Sequence, residues 1–575
     1  MLGLSPWTSL AAVIAASTLA WLLGARPSSD RVSSRVAGIA AALDGPWAPG
    51  VIGAITSATV WLVWGGLDRS PVVHDEAAYV LQAQLFARGA WTGPAPVLPE
   101  FFEQLYVLVT PVLASKYPPG HSLMLAPGAL VGLPGLSVVL LDGVTGAFIF
   151  ALARRVSGGQ VALLTWLAWV TCYPAIYFRA SYLSEVTSSA AWLVGWWSLL
   201  RWRETGRREW LVGVAAAVGL VAVTRPLTSV ALALPIAAVV LRDVSARRRW
   251  RDLTLAMGVG VTCIAIVPLW SARTTGSPAL TPLELYTRTY VPFDVPGFGL
   301  DTSARPLRYV PRDMALTNQS FREEHRAHTA AALPQTLVQR LRMIARDMWY
   351  DWRLGLAPFA VVGLISLPAA GWFALATLAA HVLLYLLYAH PAFWTVYYLE
   401  SEPVLAFLTA LGVVRVIAWA GSGWRVAGSD SPGSDSMPRQ FPTTLALPST
   451  RYPLPVLVLA VATLVPAVLT LRSMRDQIDR DHAYHERFDA IRHQIGDERA
   501  IVFVRYAATH NDNLSLVRNP ASHDDARVWI VHDRGTDNAR LIAAAPTRRA
   551  YLFDEASWTI QPLTPQPTVE TDAHP

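Results

Sequence analysis

The sequence predicts an all-α polytopic membrane bundle of about twelve transmembrane helices, with a small α/β domain at the C-terminus. Of the 575 residues, 53% are hydrophobic and only 15% are charged, whereas soluble proteins have about 25% charged residues. The charged residues also cluster between long apolar runs and rarely interrupt them. These observations favour a bundle in lipid over one large soluble core.

Apolar runs of roughly 17 to 25 residues are long enough to cross a bilayer and mark the predicted spans. The clearest are Pro6–Leu23, Pro46–Gly66, Leu136–Ala153, Val161–Phe178, Tyr182–Leu200 and Leu255–Trp270. Shorter or proline-flanked runs of the same kind are Leu211–Val223, Leu227–Leu241, Leu354–Leu367, Trp372–Ala389, Tyr398–Ala418 and Leu454–Leu471.

Arginines concentrate in short loops beside these runs, for example between Arg201 and Arg208 and between Arg242 and Arg251. The positive-inside rule places such loops in the cytoplasm, and alternation of the spans then places the long loops 67–135 and 271–353 outside. The net charge of +6 therefore follows from topology, and nucleic-acid binding is not expected. The expected location is the plasma (inner) membrane of a bacterium.

The predicted organisation has five parts. They are an anchor helix with a cytoplasmic loop (1–45), the main transmembrane module (46–420), a Ser/Pro/Gly-rich cytoplasmic linker (421–451), the last span (452–471) and an extracytoplasmic α/β domain (472–575). Strand-like runs at Ala500–Val504, Arg527–Val531 and Arg549–Phe553, with a helix at Thr536–Ala544, predict this last domain. The domain contains no nucleotide-binding glycine-rich loop.

The first outer loop contains an acid pair and the only lysine of the chain. Asp75 and Glu76 begin an amphipathic helix, and Lys116 precedes a rigid Tyr-Pro-Pro turn. Neighbouring candidates for substrate contact are His74, Tyr79, Tyr117 and His121.

Further ionisable residues lie where other predicted spans begin or end on the same face. Arg179 and Glu185 flank the second outer turn, and Arg225 lies in a Thr-Arg-Pro turn between two spans. Charges at such positions are costly without a partner or a purpose. Tyr398 and Glu400, at another predicted span, are candidates for sugar contact.

This constellation suits transfer of a sugar from a polyprenyl phosphate to an acceptor hydroxyl on a lipid, a glycan or a protein. A carboxylate must take the proton of the weak hydroxyl nucleophile, and Asp75 is the candidate base. The departing phosphate needs cations, for which Lys116, Arg179 and Arg225 are the candidates. Direct attack inverts the sugar carbon, and grooves between the helices are expected to hold the isoprenoid tail. Membrane lipids are further expected partners. No cofactor is indicated by this chemistry.

The Asp75-Glu76 pair, the Lys116-Tyr-Pro-Pro element and Glu185 resemble, in order and placement, the GT-C superfamily of glycosyltransferases. The resemblance is to its protein O-mannosyltransferase and lipid A aminoarabinose transferase branch, over roughly Pro46 to Tyr398. It implies that Asp75 is the catalytic carboxylate, that Lys116 contacts the donor phosphate, and that Glu185 shapes the site. Tyr117 between the lysine and the prolines, and Glu in place of Asp at 185, depart from the family pattern.

Simpler interpretations of these residues stay open. Asp75 is also a good helix N-cap, and Lys116 could be a snorkelling interface charge. Arg179 and Glu185 could form a surface ion pair with each other. His74 and His121 near the acid pair leave a divalent metal open, although their spacing is poor evidence for one.

Other functional classes share this topology. A transporter or lipid flippase would also have about twelve spans, but should show mid-membrane charges and related halves. A surface-polysaccharide ligase or polymerase would use lipid-linked sugars too, without the acid pair. A non-catalytic assembly or sensor protein would give the C-terminal domain a role of its own.

Overall fold

The computed structural model describes residues 5–24, 30–422, 453–523 and 525–563. Nearly all of the predicted linker 421–451 therefore lies outside the described residues. In chain order, the α-helices are α1 (Trp7–Gly24), α2 (Asp30–Asp44), α3 (Ala48–Trp64), α4 (His74–Ala87), α5 (Gly120–Leu130), α6 (Pro134–Ser157), α7 (Gly159–Val170), α8 (Tyr173–Arg179), α9 (Glu185–Thr205), α10 (Glu209–Ala222), α11 (Pro226–Arg247), α12 (Asp252–Thr275), α13 (Pro282–Tyr290), α14 (Arg312–Ala327), α15 (Leu333–Met348), α16 (Ala357–Ile365), α17 (Ala369–Tyr385), α18 (Glu402–Ser422), α19 (Pro453–Arg492) and α20 (Asn538–Ala544).

Several of these helices are long and apolar enough to cross a membrane. Within the described residues there are five, or up to seven if each of two sharply bent helix pairs forms one span. Three other predicted runs overlap shorter apolar helices, at Trp7–Leu23, Gly159–Val170 and Glu209–Ala222. The chain is therefore a multi-pass membrane protein, and the count of twelve stays a prediction.

The chain forms two compact units. The first consists of Met1–Leu67, Gly135–Ile264 and Ala331–Ile478, and the second of Asp68–Pro134, Ala265–Ala330 and Asp479–Pro575. The second unit thus combines most of the two long loops with the C-terminal residues. The first contains most of the apolar helices.

Small residues allow close helix packing in the first unit. Gly363 in α16 and Gly412 in α18 face the backbone of the opposite helix, and a Cβ atom at Gly412 would overlap the carbonyl of Phe359. Membrane helices are held together chiefly by such packing, because lipid offers no hydrophobic gain for helix association. The α16–α18 crossing therefore depends on the absence of side chains at these two positions.

A four-stranded sheet organises the second unit. Its strands are β3 (Ala500–Arg505), β4 (Val528–His532), β5 (Arg549–Asp554) and β6 (Thr559–Pro562), after a short β1–β2 ribbon at Val107–Leu108 and Ala114–Ser115. The order is β4-β3-β5-β6, with β3 parallel to both of its neighbours and β6 antiparallel to β5.

Both faces of this sheet are buried. Ile501 and Phe503 of β3 pack with Ala78 and Leu81 of α4 in one apolar cluster. Residues of the opposite parity in β3, with Phe488 of α19, form a second cluster on the other face. Alternation along a strand directs successive side chains to opposite faces, so the sheet supports α4 on one side.

Replacement of Gly412 by Ala is expected to destabilise the protein, because the added methyl group would overlap the α16 backbone. Overpacking of this kind costs about 1–3 kcal/mol. The matched control is Gly258→Ala in α12, where an added Cβ meets nothing within 4 Å. The check is the thermal unfolding midpoint of both variants in detergent, and equal midpoints would contradict the crossing described here.

Candidate active site

Helix α4 carries the predicted acid pair at its first turn. Its N-cap, Val73, has extended backbone angles and makes no side-chain capping bond. Glu76 compensates, because its Oε2 accepts a 2.9 Å hydrogen bond from the Val72 N–H. Asp75 and Glu76 also suit the positive end of the helix dipole. The sequence thus begins the helix at His74 with two carboxylates in the first turn.

The ammonium of Lys116 lies in a cage of tyrosine rings. Its Nζ is 3.7 Å from the ring centroid of Tyr106 and 5.1 Å from those of Tyr117 and Tyr286. Among the described residues, no carboxylate lies within 4.0 Å of this ammonium. Aromatic faces attract cations, and the attraction strengthens as water is excluded. Lys116 is therefore a buried cation held mainly by aromatic rings.

Asp75 and Lys116 meet at Tyr117. The Tyr117 hydroxyl donates a short hydrogen bond to Oδ1 of Asp75. The ring of Tyr117 stacks on Tyr79 at 4.6 Å, and Tyr79 contacts the His121 ring edge-on at 4.8 Å. The residues that the sequence analysis selected in the first long loop therefore lie together, and Tyr117 links them through its hydroxyl bond to Asp75 and through its ring near the Lys116 ammonium.

Burial shifts the pKa values of Lys116 and Tyr117. It lowers the pKa of Lys116, against the opposing charges of Asp294 and Asp75. It also raises the pKa of Tyr117 well above its ordinary value, with Asp75 adding to the rise. Tyr117 thus stays a hydrogen-bond donor to Asp75 over the physiological pH range.

Burial also shifts the pKa values of two flanking groups, Glu76 and His74. Desolvation raises the pKa of Glu76 to about 7, opposed by its bond to Val72 and by the charge of Arg518. Desolvation and then Arg518 lower the pKa of His74 to about 4. His74 is therefore neutral at pH 7, and its Nε2 lies 2.5 Å from the Asp512 carbonyl oxygen.

The sequence analysis missed two members of the cage, Tyr106 and Tyr286. Tyr106 has a φ of 65°, a left-handed conformation that is unfavourable for a bulky side chain. Its N–H donates to the Tyr286 hydroxyl at 3.0 Å, and its carbonyl accepts from the Lys116 N–H at 2.9 Å. Strained residues of this kind are concentrated at functional sites. No local motif marks either tyrosine. Tyr286 also belongs to α13, which lies in a different loop from Lys116.

A second polar cluster lies within the first unit. The Arg225 guanidinium pairs with Glu185 and donates to the Tyr385 hydroxyl at 2.9 Å, and Glu400 lies 3.8 Å from its Nε. Ser188 donates to the same carboxylate of Glu400. Three residues predicted from separate stretches, Arg225, Glu185 and Glu400, are therefore neighbours. Arg225 is already neutralised by a carboxylate, so its predicted role in phosphate binding stays a prediction.

Arg179 has a different partner from the one considered in the sequence analysis. It forms a 3.0 Å ion pair with Asp142 of α6 and lies over the Trp169 ring at 4.5 Å, while Glu185 pairs with Arg225. The proposed Arg179–Glu185 pair is therefore wrong. Asp142 was missed, although it is the single acid in the run Leu136–Ala153 and an acid in a span requires a partner.

Tyr398 is fully enclosed in the first unit. Its side chain is 1% exposed, and its hydroxyl lies 3.1 Å from Nε2 of His390. His381 is nearby, 4.0 Å from Oε2 of Glu400. Both Tyr398 and Glu400 are buried among protein groups. Their contacts with a sugar therefore stay predictions. Within the described ranges, no cluster of three or more His, Cys, Asp or Glu side chains could hold a metal ion.

Comparison with solved structures finds a similar fold in ArnT. The structure of ArnT from Cupriavidus metallidurans bound to undecaprenyl phosphate matches with a TM-score of 0.52 at 15% identity, over 88% of this chain and 93% of that one. Its apo form matches over the same shares with a TM-score of 0.50 at 15% identity. No curated protein sequence matches the chain.

Residues 128–271 match the family described as dolichyl-phosphate-mannose-protein mannosyltransferase. The resemblance to the GT-C superfamily is confirmed. The fold match and the family match together support a GT-C glycosyltransferase of the mannosyltransferase and ArnT type. The family match includes α9 and its acid Glu185, whereas Asp75 and Lys116 precede it.

Replacement of Glu76 by Gln is expected to remove a pH-dependent loss of stability. The pKa of Glu76 is raised from 4.5 to about 7 in the folded protein, so the folded state binds more protons than the unfolded state between these values. The contribution of Glu76 to stability is thus greatest at low pH and falls as pH rises through this window.

The measurement is the thermal midpoint of parent and Glu76→Gln at pH 5, 6, 7 and 8. The midpoint of the variant should gain on that of the parent as pH rises, because Gln still accepts the Val72 N–H but does not ionise. A difference that is constant across the series would contradict the raised pKa.

Proposed function

We propose that this protein transfers a sugar from a polyprenyl-phosphate donor to an acceptor hydroxyl, with Asp75 as the base and Lys116 as the phosphate-binding cation. The observation that carries the proposal is the Asp75–Tyr117–Lys116 arrangement, which joins a carboxylate to a buried ammonium that has no carboxylate partner among the described residues. A buried cation of this kind is suited to an anionic ligand, and a neighbouring carboxylate to a hydroxyl nucleophile.

The proposed reaction is a single displacement. The acceptor oxygen forms a bond to the anomeric carbon as the bond from that carbon to the phosphate oxygen breaks. The hydroxyl proton passes to the Asp75 carboxylate, and polyprenyl phosphate leaves. Attack opposite to the leaving group inverts the configuration. The hydrogen bond from Tyr117 orients the Asp75 carboxylate for this transfer.

Lys116 stabilises the charge that develops on the leaving phosphate. In the structure its ammonium contacts aromatic rings, which attract the cation less strongly than a phosphate would. A charge-assisted bond to phosphate in a water-poor site is worth most when charge builds up on the leaving oxygen. Binding of the donor also favours the charged form of Lys116, against the effect of burial.

The polyprenyl-phosphate donor is supported by the fold match to ArnT, which was solved with undecaprenyl phosphate. A donor with an isoprenoid tail reaches its enzyme from the bilayer, so a multi-pass protein suits it. The distribution of arginines predicts that the first long loop and the C-terminal residues lie outside the cytoplasm, where nucleotide sugars are normally absent. The acceptor is a lipid, glycan or protein hydroxyl.

Transport of a lipid-linked sugar is the second candidate, since charged pairs are buried among the apolar helices. Asp142 lies near the middle of α6 and pairs with Arg179, and intramembrane ionisable groups of this kind often mark transport pathways. Catalytic turnover by purified protein in detergent separates the two, because transport requires a sealed membrane and leaves the donor intact.

Replacement of Asp75 by Asn is expected to reduce kcat by about 10²–10⁴-fold, since the amide cannot accept the hydroxyl proton. The matched control is Asp68→Asn, an exposed acid in the same loop. Purified proteins are supplied with a panel of polyprenyl-phosphate sugars and acceptors, and sugar transfer is measured. Equal turnover by Asp75→Asn and the parent would remove the assigned base, and no turnover of any donor by the parent would favour transport.

Replacement of Lys116 by Arg is expected to change the alkaline limb of the pH profile. The charged form of Lys116 exists below its pKa, which burial lowers from the ordinary value of 10.5, so kcat/KM for the donor should fall as pH rises through that lowered value. Arginine stays charged, and Lys116→Arg should retain kcat/KM at alkaline pH relative to its own maximum.

The control for this pH series is Lys116→Met, which keeps an unbranched side chain without charge. Its kcat/KM should be low throughout, with no alkaline fall of its own. Superimposable alkaline limbs for the parent and Lys116→Arg would show that another group causes the fall and would contradict the role of Lys116.

A further inference from the structure

The residues just before α4 are held by side chains from the C-terminal part of the second unit. The Arg518 guanidinium donates to the carbonyl of Pro71 and, at 2.6 Å, to that of Val72. His485 lies 3.1 Å from the same Val72 carbonyl oxygen through its Nε2. These contacts join positions more than 400 residues apart in the chain.

Arg518 has no obvious role within its own segment. It lies in the long connection between β3 and β4, and its guanidinium is partly buried. Among the described residues it has no carboxylate within 4.0 Å, and its hydrogen bonds go to backbone carbonyls. The planar guanidinium fork suits two neighbouring acceptors. Its contacts therefore fix the backbone of Pro71 and Val72.

The Val72 residue is held at both of its polar backbone groups. Its N–H donates to Glu76 and its carbonyl accepts from Arg518. One residue later, Val73 is the N-cap of α4 and makes no side-chain capping bond. His74 then contacts the Asp512 carbonyl. The start of α4 is thus fixed by one local bond, from the Val72 N–H to Glu76, and by tertiary contacts that come from the C-terminal segment.

The Asp75 carboxylate depends on this arrangement for its position. Asp75 is the second residue of α4, so any fraying or shift of the first turn moves its carboxylate away from Tyr117 and Lys116. A misplacement of about 1 Å in a catalytic group can cost about 10²-fold in rate. The stretch from Pro71 to His74 is therefore a sensitive point of the site.

We propose that Arg518 is a positioning residue, through which the C-terminal segment holds the first turn of α4 and aligns Asp75 for proton transfer. This inference rests on the proposed function, in which Asp75 is the base. It gives the C-terminal residues a part in the reaction although they contact no reacting atom. Arg518 acts through the backbone of Pro71 and Val72, and substrate binding by Lys116 does not depend on it.

The test compares Arg518→Met, Arg518→Lys and the control Arg548→Met in the full-length protein. Arg548 is a suitable control, because its buried guanidinium also bonds to backbone carbonyls of the same unit, but to those of Arg527 and Ala500 at the starts of β4 and β3 and not to those of Pro71 and Val72. Each variant is measured for sugar transfer and for amide hydrogen exchange of the peptide that covers Val73–Val80.

The expected result is a split between kcat and KM. Arg518→Met should lower kcat by about 10–100-fold with the donor KM within about two-fold of the parent, and Arg518→Lys should recover part of kcat. The Val73–Val80 amides should exchange faster in Arg518→Met than in Arg548→Met, since the first turn of α4 frays. Arg548→Met should lower stability while kcat stays within about two-fold of the parent.

Equal kcat values for Arg518→Met and Arg548→Met, or unchanged exchange at Val73–Val80, would overturn the positioning role while the proposed function stands. A parent enzyme that transfers sugar from none of the donors would overturn the proposed function itself, together with the catalytic purpose given to Arg518. The exchange measurement would then decide on its own whether Arg518 holds the start of α4.

Discussion

The burial of one ammonium without a carboxylate partner among the described residues is the constraint on which the candidate site depends. Removing a charge from water is costly, and here the faces of Tyr106, Tyr117 and Tyr286 offset part of that cost. The arrangement requires three chain segments to converge, and one of them adopts a left-handed backbone at Tyr106 to do so. Stability alone does not explain this arrangement, because burial of an apolar side chain at position 116 would have a more favourable free energy than burial of an ammonium.

The same unit also positions a carboxylate at the first turn of a helix whose N-cap residue, Val73, makes no side-chain capping bond. Val72 is held at its N–H by Glu76 and at its carbonyl by Arg518. One face of the sheet packs against α4 through Phe503 and its neighbours. Loop and C-terminal residues therefore fold as one compact unit, although the sequence analysis treated them as separate parts.

Local patterns predicted the strands and most helices well, since hydrophobic runs and alternation are encoded within short windows. Three predicted strands lie within one residue of those in the structure, at Ala500, Val528 and Arg549. The pairing of side chains could not be predicted in this way. Asp142 as the partner of Arg179, and Tyr286 beside Lys116, depend on which segments pack together, and no spacing rule reports that. The single lysine beside a Pro-Pro turn was informative because its rarity singled it out.

That rarity has a practical chemical consequence. Since Lys116 is the only lysine of the chain, amine-directed acylating reagents have one side-chain target, and it lies inside the tyrosine cage. Its lowered pKa leaves more of the neutral, nucleophilic amine at a given pH than an exposed lysine would have. Labelling of this amine would therefore report directly whether the cage is occupied. A lysine-specific protease likewise has a single recognition site in the sequence, at Lys116.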